Sequence, residues 1–468
     1  MTTDSLHPTR RQVLQGSSAL AVAHALGLIG LPDAAQAQSA PTATARPTWH
    51  NWSGLQQATP AAIATPANEA ELIDLMRKAR GEVRAVGSGH SFTALVPTTG
   101  TIISLDRLSG VISVDKAAMT ATIHGGTRLG VLSRELDRFG LGLRNLPDID
   151  VQSISGAIST ATHGTGMTLP PIHADVVGLR IVKPGGEVVE INDKSPGELL
   201  AAARVSVGSL GVISQVTMRV LPAYNLAKRV WVQPIEQLLS VAPDLARQHR
   251  NFEMYYLPFT GYGVGITHDL YTGQDFHIPP ALDDSTLADL RKLRDWLGRV
   301  PSVRQWVAQK LIDPNTVEEA RHRSWRLLST VRPMKFNESE WHLPREQGIP
   351  CLRQVIRTLE QRNEVYFPLE FRFVKADDAW LSPFYQRETC SIAVHASADE
   401  AYQYLLTDIN PLFRAHQGRP HWGKLHWMGA AELSTMYPRW QDFQRVRQQF
   451  DPQGQMLNAH LRKLFLKA

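Results

Sequence analysis

The sequence predicts an α+β protein in two parts, the second built around an antiparallel sheet. Three observations carry this reading. Short apolar strands and amphipathic helices are mixed through residues 49–222 without a strict strand–helix repeat. Stretches rich in Gly, Ser and Thr interrupt that part at 87–92, 153–166 and 207–213. After Pro222 the composition shifts: tryptophans become common, from Trp231 and Trp296 to Trp422 and Trp427, and alternating strands such as 369–373 and 390–395 appear. The expected division is a leader at 1–37, a flexible tail at 38–48, a first domain at 49–222, a second at 223–435 and a closing segment at 436–468.

The chain has 468 residues, 43% hydrophobic and 20% charged, the composition of a globular protein with a sizeable core. Its formal net charge is +5, and removing residues 1–37 takes two acids and two arginines and leaves +5. No long Lys/Arg run occurs, which argues against a nucleic-acid partner; a weak attraction to anionic surfaces or small anions fits the balance. Two cysteines, Cys351 and Cys390, exclude a disulfide scaffold and read as separate buried thiols.

Thr9-Arg10-Arg11-Gln12-Val13-Leu14 precedes a modest apolar run from Ala19 to Leu31, and Ala35-Gln36-Ala37 offers small residues for cleavage. This pattern predicts a twin-arginine signal peptide, export by that machinery and a periplasmic or secreted location. The run is too short and too rich in Ala and Gly for stable membrane insertion. That route carries folded proteins, which hints at a cofactor acquired before export.

Asn68 is the expected N-cap of a helix whose Leu72, Leu75, Met76 and Ala79 share a face. A strand from Glu82 to Val86 delivers Gly87-Ser88-Gly89-His90-Ser91-Phe92, whose glycines allow successive backbone N–H groups to form an anion-binding nest. Strands at 102–105, 110–114 and 119–124 follow, then a helix from Leu129 to Phe139 stopped by Gly140. Ser153 to Gly166 packs small residues and hydroxyls into a loop suited to lie along an extended ligand and too small to fill a core. Val207 to Ile213 leads into a strand at 214–221. The Rossmann fingerprint fails, because Phe92 stands where the third glycine belongs and no helix opens after the loop; a P-loop is absent too.

In the second domain the tryptophans read mainly as core, although aromatic faces also suit stacking on sugars. Residues 273–345 are charged and less periodic, with helices expected at 285–297 and 303–311, and read as variable surface or a lid. Glu370 and Arg372, two apart on a strand, share one face, where an acid beside a guanidinium can hold a hydroxyl. His395 on the 390–395 strand reads equally as a base, a hydrogen-bond donor or a structural histidine. His416, His421 and His426 recur every five residues without metal-ligand spacing, and no metal is expected.

These motifs, in this order, resemble the vanillyl-alcohol oxidase superfamily, in its aldonolactone oxidase and alditol oxidase branch. The resemblance covers about 50–222 and 360–460, and rests on Gly-Ser-Gly-His-Ser, Ser-Gly-Ala-Ile…His-Gly-Thr-Gly, Gly-Ser-Leu-Gly-Val-Ile, Glu-Phe-Arg, Asp-Asp-Ala-Trp-Leu-Ser-Pro (377–383), Pro-His-Trp-Gly-Lys (420–424) and Asp-Pro-Gln-Gly-Gln-Met-Leu-Asn (451–458). It implies a two-part FAD-binding domain of the PCMH type and an α+β substrate (cap) domain, with the closing segment folding back onto the first. It implies that Gly87, Ser88, Gly89, His90, Ser91 and Phe92 hold the FAD pyrophosphate, with His90 bonded covalently to the flavin. Ser153, Ser155, Gly156, Ala157, Thr160, His163 and Gly164 would line the isoalloxazine and pyrophosphate. Gly208, Gly211 and Ile213 would line the adenine side, and His421 would also contact the cofactor. Pro147, two after Asn145, resembles the oxidases and implies reoxidation by O2 to hydrogen peroxide. Glu370 and Arg372 would orient the reacting hydroxyl, Lys424 would stabilise the reduced flavin, and His395 or Glu370 would take the proton. The expected activity is hydride transfer from a small sugar-derived hydroxyl compound. The rivals are a dehydrogenase using a periplasmic acceptor and a non-catalytic carbohydrate-binding protein.

Overall fold

The computed structural model describes residues 46–279, 285–330 and 334–466. The leader, and the tail up to residue 45, lie outside them. The first part opens with the paired strands β1 (Trp49–His50) and β2 (Gln57–Ala58). β3 (Ala62–Ala64), helix α1 (Glu69–Lys78), β4 (Val83–Val86) and β5 (Thr101–Ser104) follow, and the three strands form a small parallel sheet in the order β3-β5-β4. Asn68 caps α1 by accepting from the Glu71 N–H at 2.9 Å, and Leu72 and Met76 face the core.

A second sheet, antiparallel throughout, is built from β6 (Val111–Asp115), β7 (Thr120–His124), β9 (Val176–Val182), β10 (Val188–Asn192) and β11 (Val212–Arg219), ordered β10-β9-β11-β7-β6. Between β7 and β9 run α2 (Leu129–Arg138), the short β8 (Leu141–Gly142) and α3 (Ile154–Ser159). Gly140, at φ +74°, follows α2 as the sequence requires. α3 corrects the reading of 153–166 as a loop. Ser153 Oγ accepts from the Gly156 N–H, and Ile154, Ala157, Ile158 and Ala161 are buried in the main core. Small residues let this turn lie close against its neighbours, so the stretch does fill core. α4 (Leu199–Ala203) precedes β11, and β12 (Leu221–Pro222) pairs with β8.

The second part is organised by one eight-stranded antiparallel sheet. Its strands are β13 (Asn225–Pro234), β14 (Asn251–Leu257), β15 (Tyr262–Tyr271), β16 (Val317–Arg323), β17 (Phe336–Pro344), β18 (Leu369–Val374), β19 (Thr389–Ser397) and β20 (Arg419–Pro420). Their order is β16-β13-β15-β14-β18-β19-β17-β20. Helix α5 (Ile235–Gln248) follows β13, a helical hairpin α6 (Ser285–Leu297) and α7 (Pro301–Leu311) precedes β16, and α8 (Ser324–Leu328) follows it. Helix α9 (Arg345–Leu359) packs against one face of the sheet: a Cβ on its Gly348 would stand 2.7 Å from Cys390 and 3.1 Å from Phe371. Cys351 and Cys390 are buried free thiols. The reading of 273–345 as surface is corrected in part, because β17 is buried and paired on both sides, between β19 and the two-residue edge strand β20.

Side chains two apart share a strand face. The face of the sheet opposite Phe371, Phe373 and Ile392 therefore carries Glu253 and Tyr255 on β14, Glu370 and Arg372 on β18, Ser391 and His395 on β19, and Glu338, Glu340 and His342 on β17. The register sets Arg372 opposite Glu253 and Ser391, Glu370 opposite Tyr255, and His395 opposite Glu338.

After β20 come α10 (Ala430–Met436), α11 (Trp440–Phe450) and α12 (Ala459–Phe465). The chain then meets the first part again. The Val83 N–H donates to Gln455 O at 2.9 Å, and Asn458 Nδ2 donates to the carbonyls of Ala94, Leu95 and Pro97. The buried Arg84 guanidinium completes this junction by donating to the carbonyls of Leu95, Val207, Gly208 and Met456.

Candidate active site

The three small-residue stretches line one cleft of about 1010 Å³, its open mouth included. Gly87, Ser88, Gly89, His90 and Ser91 come from the first; Ser153, Ser155, Gly156 and Thr160 from the second; Gly208, Gly211 and Ile213 from the third. Gly89 sits at φ +69°. Among the described residues, no protein acceptor meets the backbone N–H groups of Ser88, Gly89, His90 or Ser91. Such a run of unused donors beside a left-handed glycine fits a bound pyrophosphate. A side chain at 87 would intrude, since a Cβ there would stand 2.2 Å from Ser153 Oγ. The residues present therefore fit FAD.

His90 stacks on Trp52 at 5.0 Å between ring centroids, and its Nδ1 lies 3.2 Å from Ser88 O. Burial, with a contribution from Lys424, lowers the imidazole to about 4, so it is neutral at physiological pH. Three of the residues expected at the cofactor lie behind the cleft surface. Ala157 and Phe92 belong to the core, with the Phe92 N–H donating to Gly423 O at 2.7 Å. Gly164 lies against Leu146 O, where a Cβ would approach to 2.2 Å.

A second chamber of about 490 Å³ shares Gln152, His421 and Lys424 with the cleft. Its other walls include Pro147, Asp148, His163, Phe336, Glu338, Glu340, Glu370, Arg372 and His395. Thus Pro147 and His163, expected at the cofactor, line this chamber. No tryptophan lines it among the described residues; its aromatic wall is Phe336.

Arg372 is the hub. Its Nε donates to Glu253 at 2.8 Å, and its Nη2 meets both Glu370 and Asp148. Tyr255 OH donates to Glu370. Burial pulls the guanidinium down to about 9, which leaves it charged at neutral pH beside its three carboxylate partners. Across the chamber Lys424 Nζ pairs with Glu338 and lies 3.8 Å from Glu340. Glu340 also receives His163 Nε2 at 2.8 Å and Ser391 Oγ. Burial raises Glu340, but His163, Lys424 and His421 outweigh it and hold the carboxyl well below its usual range.

Two histidine tautomers follow from geometry. His395 Nδ1 donates to Pro368 O at 2.9 Å, which leaves Nε2, 3.8 Å from Glu338, as the basic nitrogen. His421 Nδ1 accepts from the Gly423 N–H at 3.0 Å, which puts its proton on Nε2; burial lowers its pKa to about 3. Of its neighbours in the five-residue series, His416 bonds Gln347 and His426 is buried. Sequence reasoning missed Asp148, Glu253, Tyr255, Glu338, Glu340 and Arg84. Glu338-x-Glu340 and Glu253-x-Tyr255 repeat the two-residue spacing of Glu370-x-Arg372, and that signal could have found four of them.

Comparison with known proteins agrees with this geometry. Residues 216–464 match the family model for D-arabinono-1,4-lactone oxidase, and residues 60–192 match that of an FAD-binding domain. L-gulono-1,4-lactone dehydrogenase of Mycobacterium tuberculosis is 36% identical over 428 residues, covering 89% of this chain and 99% of that protein. L-gulonolactone oxidase of Mus musculus is 27% identical (89% and 98% covered), and alditol oxidase of a Streptomyces species 29% (88% and 98%). Among solved structures, cholesterol oxidase from Brevibacterium sterolicum superposes with a TM-score of 0.71 at 15% identity, covering 89% of this chain and 96% of that one, a likeness of fold. With a relative aligned along nearly its whole length and a family model spanning more than half the chain, the protein belongs to the D-arabinono-1,4-lactone oxidase family, in the aldonolactone and alditol oxidase branch of the FAD-binding vanillyl-alcohol oxidase superfamily.

Proposed function

We propose that this protein is an FAD-dependent oxidoreductase that oxidises a CH–OH group of an aldonolactone or an alditol. One observation carries the reading: a polar chamber with a buried carboxylate–guanidinium hub opens onto the cofactor cleft, and the two share Gln152, His421 and Lys424. Bound FAD supplies the hydride acceptor. Arg372 and Glu370 hold the substrate hydroxyl. Of the two candidates for its proton, Glu370 has one oxygen engaged by both Tyr255 and Arg372, whereas His395 offers a basic Nε2 at the chamber wall; His395 takes the proton. Lys424 and the His421 Nε2–H, common to both spaces, stabilise negative charge at the junction.

Three finer assignments belong to this proposal. His90 carries the flavin covalently, supported by its neutral imidazole in the cleft wall. Reoxidation uses O2 and yields hydrogen peroxide, supported by Pro147 in the chamber wall. The protein is exported by the twin-arginine route to the periplasm or beyond, supported by Arg10-Arg11 and the small residues at 35–37. Against O2 stands the dehydrogenase name of the Mycobacterium tuberculosis relative. Turnover of an aldonolactone and alditol panel in air, followed by peroxide, separates the two: peroxide in step with substrate loss supports the oxidase, and turnover only with an added electron acceptor supports the dehydrogenase. Acid denaturation tests the attachment: a yellow pellet that turns colourless in His90→Ala is expected, and a yellow His90→Ala pellet contradicts it.

A further inference from the structure

The α6–α7 hairpin has two unlike sides. Leu287, Leu293 and Ala308 are buried against the body, and Arg304 reaches inward to donate to the carbonyls of Asn363 and Val365. The outward side shows large apolar groups. Trp296 is 80% exposed and Trp306 62%, and Val300 and Val303 are exposed as well. Val303 and Trp306 lie three apart on α7 and so share one face, while Val300 stands in the short turn after α6. Four large, exposed apolar side chains thus fall within eleven residues of a hairpin that is firmly tied down behind. Isolated exposed apolar residues need no explanation, but a group this dense does.

Charge says what covers it. Residues 291–310 hold six Lys and Arg against one Asp, a net +5 equal to the formal charge of the whole chain. Arg291 and Arg294 are matched by acids of the body, whereas Arg299 and Lys310, beside the exposed apolar groups, pair with no acid among the described residues. Tryptophan with flanking cations suits the boundary between lipid headgroups and acyl chains, where the ring is half-wet and the cation meets phosphate. No helix among the described residues is long and apolar enough to cross a membrane, so contact of this kind is peripheral.

We propose that the outward face of the α6–α7 hairpin, from its turn along α7, docks this protein onto an anionic lipid bilayer, with Trp296 and Trp306 at the headgroup boundary and Arg299 and Lys310 on lipid phosphates. None of these four residues lines the cofactor cleft or the chamber, so docking and chemistry can be separated.

The test is flotation of the flavin-loaded protein with vesicles of phosphatidylglycerol and phosphatidylcholine, against vesicles of phosphatidylcholine alone. Wild type floats with the anionic vesicles, stays behind with the neutral ones, and is released by high salt. The W296S/W306S protein loses about tenfold or more of its vesicle affinity while keeping its flavin spectrum and activity, and R299E/K310E loses the salt-sensitive part. Absence of flotation with anionic vesicles overturns the proposal, as does unchanged flotation of W296S/W306S. Equal binding to neutral vesicles overturns the charge assignment. Self-association of the wild type, abolished in W296S/W306S, assigns the face to a second copy of the chain instead.

Discussion

The residue that most rewards attention is Arg372, because three carboxylates and one tyrosine converge on it or its partner. Removing one partner of a buried ion cluster leaves uncompensated charge, typically at about 3–5 kcal/mol. Arg372→Met therefore lowers the melting temperature measurably, besides abolishing turnover; an unchanged melting curve contradicts the buried-hub description. Glu253 acts one step back, by orienting the guanidinium from the neighbouring strand. Glu253→Gln keeps the shape but weakens the clamp, and kcat falls by about 10–100-fold with a smaller change in KM; steady-state kinetics on a reduced substrate panel check this. His395→Asn removes the basic nitrogen, so kcat falls by about 100-fold or more. A rate close to that of wild type transfers the role of base to Glu370.

At the scale of elements, the cofactor cleft is made by turns and the chamber by a sheet, and this decides what the sequence revealed. Gly87 to Ser91 and Gly208 to Ile213 announce themselves because the backbone geometry needs glycine locally. Ala157 misled, because small residues signal close approach equally well in a loop and in a buried helix. The sheet face was half legible. Glu370-x-Arg372 can be read on its own strand, but its partners Glu253 and Tyr255 lie over a hundred residues earlier and arrive only through strand register. β17 was missed because Asn337, Glu338, Ser339 and Glu340 look like surface, and their burial depends on Lys424, His163 and Asn410 reaching them from elsewhere. One substitution probes the turn-built cleft: Gly87→Ala drives a Cβ toward Ser153 Oγ, so the fold is retained but flavin content drops sharply, read by absorbance against protein. Full flavin loading in Gly87→Ala contradicts the nest.

Across the whole molecule, buried histidines tie stability to pH. Burial lowers His268, His421 and His426 to about 3 and His460 to about 4, from an ordinary 6.5. Between those values the unfolded chain binds protons that the folded chain refuses, so stability is full above about 6.5 and falls as pH falls. Each such histidine removes at most about 1.4 kcal/mol per pH unit. Glu340, held low in the fold, acts in the same direction further down the scale. The melting temperature should fall steadily from neutral pH to about pH 5, and a flat profile contradicts the burial of these rings. The same closed architecture, with Arg84 and Asn458 stitching the chain's end to its first domain, holds the cleft and the chamber in one frame.

That frame makes sense only if the two spaces serve one reaction. The direct measurement is anaerobic mixing of the purified, flavin-loaded protein with L-gulono-1,4-lactone, D-arabinono-1,4-lactone and a set of alditols, following flavin absorbance. The account predicts bleaching by at least one of these compounds in wild type and none, or far slower bleaching, in Arg372→Met. A flavin that stays oxidised with every one of them, or a wild-type protein that binds no flavin, would contradict it.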